Sequence, residues 1–358
     1  MNERDIDFMA ELMAKMDRKA SVAGDIINDY LAKRKLNPEE KALFLEIIWG
    51  IIRCYARLKW AYPDADWSVR IQNFIRKGIP TVSNAPLYIQ CEVPEWFLDH
   101  IPNPESELPL LLEKPPIVLR ATGNRDEISA DLKQEGLAVE NCTTSPFGLI
   151  LKEYANLKNT RAWKKGLIEI QDEGAQLLAL DVGIKSGQSV FDFCAGAGGK
   201  SLIFAQIMQN KGQILAYDIT PKKLFELVKR ATRAQIKIIQ IATQLPNPDK
   251  KFDHVVVDAP CSGCGTWRRC PNMRLQLTEK QLKHIVRVQS EILNRAEQYV
   301  KIGGFLSYAT CSLTSDENEA QVDAFIKTHP NYQIIRQKRY SPARTNTDGF
   351  FLAQMQKG

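Results

Sequence analysis

The sequence predicts an α/β protein: a doubly wound, largely parallel sheet in the C-terminal half, preceded by a small α+β module and an N-terminal helical domain. Three observations predict it. From about residue 166, apolar runs of strand length alternate with helical stretches, the pattern that builds parallel sheets. The first 80 residues instead repeat apolar side chains at helical spacing. Between them lies a mixed stretch with two strand candidates and one helix. The expected parts are therefore residues 1–80, 86–165 and 166–358.

Within the first part, helices are expected around 3–16 and 20–35. A third is marked by "NPEEKALFLEIIWGIIRCYARLKW", with Asn37 as N-cap and Pro38 at the first helical position. Phe44, Ile47, Ile48, Ile51, Tyr55 and Leu58 form its apolar face. "RKGIPTVSNAP" (76–86) has the composition of a linker. In the module, "PPIVLRAT" (115–122) and "FGLILKEY" (147–154) read as strands, and "RDEISADLKQEG" (125–136) as a helix ending at a glycine. The sheet strands are "SVFDFC", "QILAYDI", "FDHVVVDAP" and "GGFLSYATC", with "IIQIATQLP" between the second and third of these. The intervening helices are "SLIFAQIMQN", "PKKLFELVKRATRAQ" and "TEKQLKHIVRVQSEILNRAEQYV".

Composition narrows the class. The 358 residues, 44% hydrophobic and 25% charged, are ordinary for a globular protein. Eight scattered cysteines do not resemble a secreted disulfide framework. The opening "MNERDIDFMAELMAK" lacks the apolar core of a secretory signal, and no run reaches membrane-spanning length. A reducing, cytoplasmic setting, no membrane contact and a monomer are expected. The net charge of +6 is unevenly spread: +2 over residues 1–85, −3 over 86–165 and +7 over 166–358. The basic half suits a polyanionic partner.

"FDFCAGAGGKS" (191–201) ends like a phosphate-binding loop but has Cys194 where a Walker A loop needs its first glycine. In doubly wound sheets, ligands sit over such a loop at the carboxyl ends of the strands. The next strand ends in Asp218, placed to accept a ribose hydroxyl pair. An adenosine ligand without a phosphate chain fits this pattern, and S-adenosylmethionine is the expected cofactor.

"VVVDAPCSG" (255–263) and "YATCS" (308–312) each put a cysteine just past a strand end, on the rim where that ligand would lie. Cytosine C5 is a poor nucleophile until a thiolate adds to C6. The adduct is enamine-like and can take a methyl from a sulfonium, which is covalent catalysis by an activated cysteine. Asp258 is placed to hydrogen-bond N3 of the ring.

Together with "GLIEIQDEGAQLLAL", "DAPCSGCGTWRRCPNMR", "VQSEILNRAEQYVKIGGFLSYATCSLTSDENE" and "TDGFFLAQMQK", these motifs resemble the RsmB/Sun (Fmu) family of S-adenosylmethionine-dependent RNA cytosine-C5 methyltransferases. The resemblance covers roughly residues 110–358. The N-terminal helices more loosely resemble the NusB-like RNA-binding domain of the same family. It implies a Rossmann-like class I methyltransferase domain acting on RNA, with ribosomal RNA the expected substrate. By position it implies that Cys311 is the nucleophile and that Cys261 assists product release. The loop Cys194, Ala195, Gly196, Ala197, Gly198, Gly199 and Lys200 would hold the methionine part of the cofactor. Asp218 would hold the ribose, and Asp258 would lie near both cofactor and cytosine.

Departures from the family pattern leave two other classes open. Gly196 and Ala197 replace Ala-Pro in the loop, and the acid expected after the third strand is absent, with Thr243 the nearest acceptor. An RNA-binding assembly factor with vestigial catalysis accounts for that loss. A DNA cytosine methyltransferase would use Cys261 as the nucleophile instead. Cys261, Cys264 and Cys270 lack the fourth ligand a structural zinc requires, so no metal is expected. Trp267, Arg268, Arg269 and Arg274 suit stacking and phosphate contact on single-stranded RNA. Arg120, which matches a family arginine, is a further RNA-contact candidate.

Overall fold

The computed structural model describes residues 3–18, 23–153 and 155–358. They form two units: the chain up to residue 114 together with 266–282, and residues 115–265 together with 283–358.

The first unit is helical. Its main helices are α1 (Glu3–Arg18), α2 (Ala23–Ala32), α3 (Pro38–Arg53), α4 (Tyr55–Ala61) and α5 (Trp67–Lys77). The start of the segment expected at 20–35 lies outside the described residues. Helix α3 begins as its sequence requires: the Asn37 side chain accepts from the Glu40 amide at 2.8 Å, and Glu40 accepts from the Asn37 amide at 2.9 Å. The run expected to continue through Trp60 breaks at Cys54 (φ −120°, ψ 31°). There the Glu92 carboxylate takes the amide protons of Ala56 and Arg57, at 2.7 and 2.9 Å. Met9, Leu12, Ile27, Phe44, Ile48, Ile51, Leu58 and Ile71 fill the core.

Helical turns do not stop at the expected linker. Leu87–Gln90, Glu95–His100, Pro104–Glu107 and Pro109–Leu112 continue them, each opened by a proline at or beside its first position. Residues 86–112 therefore belong with the helices rather than with the strands that follow. So does the 266–282 segment, whose Trp267 ring lies 4.8 Å from that of Phe97.

The second unit holds two sheets. The smaller is antiparallel, in the order β2-β3-β1-β4, from β1 (Ile117–Ala121), β2 (Val139–Asn141), β3 (Gly148–Leu151) and β4 (Ile168–Ile170). The helix Arg125–Gln134 covers it through Ile128 and Leu132. Tyr154, at the end of one strand candidate, lies outside the described residues. The larger sheet contains β5 (Ser189–Asp192), β6 (Gln213–Tyr217), β7 (Ile239–Ala242), β8 (Phe252–Asp258), β9 (Val300–Thr310), β10 (Tyr332–Tyr340) and β11 (Phe350–Lys357). Its order is β10-β11-β9-β8-β5-β6-β7. Strands β5 to β9 run parallel, and β11 is antiparallel to both β9 and β10.

Both faces of the parallel strands are buried, which is why they read as continuous apolar runs. Phe191, Val255 and Val257 face one core, and Val190 and Val256 the other. Strand order reverses between β5 and β8, so the ligand crevice of this fold falls at their carboxyl ends. Within this unit ion pairs link the two sheets. Glu169 on β4 meets Arg230 at 2.9 Å and also Arg233, both on the helix Pro221–Arg233.

Candidate active site

Every loop at the crevice is fixed by a buried polar contact. Strand β5 ends at Asp192, whose fully buried carboxylate accepts from Ser201 Oγ at 2.5 Å. Ser201 lies on the helix Gly199–Ile207, so this bond clamps strand to helix across the glycine loop. Burial pushes the Asp192 carboxyl up to about 7, with the charges of Asp258 and Asp218 adding to the shift. Within the loop, Gly198 has φ 84°, and a Cβ there would lie 2.5 Å from Leu227 Cγ. Only glycine fits that turn.

Asp218, past the end of β6, is 7% exposed. Its Oδ2 accepts from the Gly196 amide at 2.9 Å and its Oδ1 from the Thr220 amide at 2.8 Å. Gly196 and Ala197 stand where the family pattern has Ala-Pro, a change that would loosen an untethered loop. Instead Gly196 is tied to Asp218, and the Ala197 carbonyl accepts from Arg230 at 2.6 Å. Ideal side chains at Gly196 and Gly199 would meet nothing within 4 Å, so the outer side of the loop is open. That opening, beside an acid, fits an adenosine-bearing ligand.

At the end of β8, Asp258 pairs with Lys200 Nζ at 2.6 Å. Burial works against the Lys200 ammonium, but Asp258 outweighs it and holds the pKa above the ordinary lysine value, with Cys311 and Asp192 contributing. Lys200 is thus a fixed positive charge facing Asp258 and Cys311. The sulfurs of Cys261 and Cys311 lie 3.3 Å apart, on the loops after β8 and β9. The hydrogen bond to Cys311, then burial, then the charges of Cys311 and Glu317 push the Cys261 thiol well above its usual value. Cys194, also at the rim, is raised by burial and by Asp192, Asp258 and Asp218, and so is held as an inert thiol. Cys264 is structural: its sulfur accepts from the Leu313 amide at 3.1 Å, and burial raises it to about 11.

The crevice brings together Cys194 to Lys200, Asp218, Asp258, Cys261 and Cys311. Thr243 stands exposed past β7, at the outer edge of the sheet. Four of the RNA-contact candidates need correction, because they are buried. Arg120 is 1% exposed; its Nε donates to Gln171 at 2.7 Å and its Nη1 to Gln206. It braces the small sheet against the helix Gly199–Ile207. Trp267, Arg268 and Arg274 are 0%, 3% and 1% exposed in the helical unit. Burial lowers the Arg274 guanidinium to about 10 while the nearby Glu92 charge opposes the shift. Arg269 alone of the five is partly exposed.

Sequence reasoning missed the polar cluster behind the cysteines. Ser262, Ser312, Thr314 and Gln289 all donate to the fully buried Glu317. The only signal was an acid in "SLTSDENE", indistinguishable there from an ordinary helix start.

A parallel sheet with this switch point, a glycine loop over its first strand and an acid closing the second is the fold of Rossmann-like class I methyltransferases. The chain belongs to the family described as 16S rRNA methyltransferase RsmB/F, whose model matches residues 178–356. It is 31% identical over 257 residues to the probable ribosomal RNA small subunit methyltransferase B of Bacillus subtilis, covering 65% of this chain and 57% of that protein. The chain spans 57%, 65% and 66% of the length of three such curated relatives. Among solved structures, PH0851 matches all of this chain and 99% of its own, with a TM-score of 0.81 at 21% identity. NSun6 from Pyrococcus horikoshii with SFG matches 74% of this chain and 97% of its own, with a TM-score of 0.66 at 19% identity.

Proposed function

We propose that this protein transfers a methyl group from S-adenosylmethionine to C5 of a cytidine in ribosomal RNA, through a covalent cysteine adduct. The observation that carries the reading is the pair of sulfurs 3.3 Å apart beside the Lys200–Asp258 ion pair, at the switch point of the sheet.

The loop Cys194–Lys200 and Asp218 hold the cofactor, which supplies an electrophilic methyl. Cys311 attacks C6 as the thiolate, with the Lys200 ammonium favouring the negative charge. Asp258 bonds the N3 edge of the ring, which must leave its stack to reach the thiolate. Cys261 keeps its proton while Cys311 is a thiolate. Once Cys311 is bonded to C6, the largest cause of that raised pKa is gone. Cys261 can then release its proton to solvent and, as the thiolate, take the C5 proton of the methylated base. The C5–H electrons restore the C5–C6 double bond, and the C6–S bond breaks with its electron pair returning to Cys311. The Lys200 ammonium, which feels the charge of Cys311, favours Cys311 as the nucleophile over the DNA-type alternative. Arg269 remains the RNA contact of the "TWRRC" stretch, in a cytoplasmic monomer. Ribosomal RNA is supported by the names of the relatives and the family.

The test is adduct trapping. Cys261→Ala should form a protein–RNA band on denaturing gels that needs both RNA and S-adenosylmethionine, whereas Cys311→Ala and the double replacement should not. The reverse pattern would establish the DNA-type mechanism. Bisulfite sequencing of ribosomal RNA with and without the gene then finds the cytidine.

A further inference from the structure

Glu317 touches no reacting atom in this scheme, yet it binds the neighbours of both cysteines. Its Oε1 accepts from the Ser262 amide at 2.7 Å and from Gln289 Nε2 at 3.1 Å. Its Oε2 accepts from the hydroxyls of Ser262 (2.5 Å), Ser312 (2.6 Å) and Thr314 (3.0 Å). Ser262 follows Cys261 and Ser312 follows Cys311. Gln289, on the helix Glu279–Ala296, also donates to the Pro260 carbonyl at 3.0 Å, just before Cys261. The carboxylate is held in turn, since its own backbone carbonyl accepts from Tyr308 at 2.7 Å.

Burying a carboxylate is costly, and apolar side chains of similar volume generally hold a core as well or better. Five donors converging on one acid between two cysteine loops therefore need a reason other than stability. The charges around Cys261 supply one. Cys311 and Glu317 both act on it, Tyr308 lies within its field, and Lys200 acts on Cys311. Glu317 is the acid that meets both cysteine loops, and Lys200 is the cation that faces Cys311.

We propose that Glu317 is the positioning residue of the cysteine pair: it locks the two loops in register and sets its negative charge beside the paired sulfurs. The proposal rests on the covalent reading above, but its test needs neither RNA nor cofactor.

The test is the pH profile of iodoacetamide alkylation at each cysteine, read by peptide mass spectrometry on the full chain. Glu317→Gln keeps the shape and removes the charge. Cys261 should then ionise at lower pH, with alkylation at pH 8 faster by about tenfold, one unit of thiol pKa. Glu317→Asp keeps the charge but shortens the reach. Its Cys261 profile should stay near wild type, while hydrogen exchange at 261–265 and 311–318 rises. A Cys261 rate in Glu317→Gln within twofold of wild type, with a cooperative melt, would overturn the proposal. If Glu317→Gln does not fold, the double replacement Ser312→Ala, Thr314→Ala retains the charge and loosens the tether. Faster exchange at 311–318 with an unmoved Cys261 profile supports the proposal, and unchanged exchange overturns it. Because alkylation reports the cysteines directly, a shifted profile stands even in a chain that methylates nothing, and a missing methyl mark then counts against the reaction alone.

Discussion

Replacing Asp218 by alanine removes the acceptor that holds the glycine loop. Two amides, of Gly196 and Thr220, lose their partner in a place where the side chain was 7% exposed. Thr220 is exposed, so water reaches its amide; the Gly196 amide, half-buried in the loop, is the one left unpaired, at a cost of roughly 1–3 kcal/mol. A domain of this size loses about 2–4 °C of Tm per kcal/mol. A fall of roughly 2–12 °C is therefore expected. In the proposed site the same acid would also accept from the ribose, and a charge-assisted bond is worth about 1.5–3 kcal/mol. Calorimetric titration should therefore show S-adenosylmethionine binding weakened at least about tenfold. Asp218→Asn should fall between the two, because one oxygen survives to accept from one amide. Unchanged affinity alongside the lowered Tm would mean that Asp218 only braces the loop. An unchanged Tm would refute the structural reasoning itself.

Other outcomes follow from the same geometry. Asp192 has its carboxyl raised to about 7 in the fold, so the folded state holds that proton more tightly than the unfolded chain. Its contribution to stability is present at low pH and is lost as pH rises from about 4 through about 7. Asp192→Asn should therefore gain stability relative to wild type across that window in paired thermal melts; a constant gap would show that Asp192 does not titrate there. Gly265→Ala would set a Cβ 2.2 Å from the Gly349 carbonyl oxygen, backbone against backbone, and should cost about 2–4 kcal/mol in urea unfolding. Arg269→Ala should lower the salt slope of RNA binding by about one, whereas Arg120→Ala should lower Tm and leave the slope unchanged.

The parallel strands were legible because burial on both faces leaves a written trace, as in Val255, Val256 and Val257. Strand β10 left none. It is an edge strand exposed along most of its length, with Arg336 and Lys338 paired to Asp181 outside the sheet. The places of the candidate residues Asp258, Cys261 and Cys311 were legible too, since a loop after a strand end can be located from the strand. Whether an arginine lies in or out could not be read. Arg274 and Arg269 stand five positions apart in one basic stretch, yet one is buried within the influence of the Glu92 charge and the other is partly exposed. Glu317 escaped for a related reason. Its five donors come from chain positions between 262 and 314, and no local spacing marks their convergence.

The helical unit is assembled from two pieces of chain separated by more than 150 residues. Domains generally fold as they leave the ribosome, the N-terminal one first. Here that order fails: α1 to α5 emerge early but cannot be completed until Trp267 and Arg274 have been made, after the glycine loop and the Cys261 loop. A fragment starting at residue 115 would leave a large indole and two guanidinium groups without the partners that bury them. The helical unit and the sheet thus have interleaved birth orders, and any split of the gene must cut at two sites, not one.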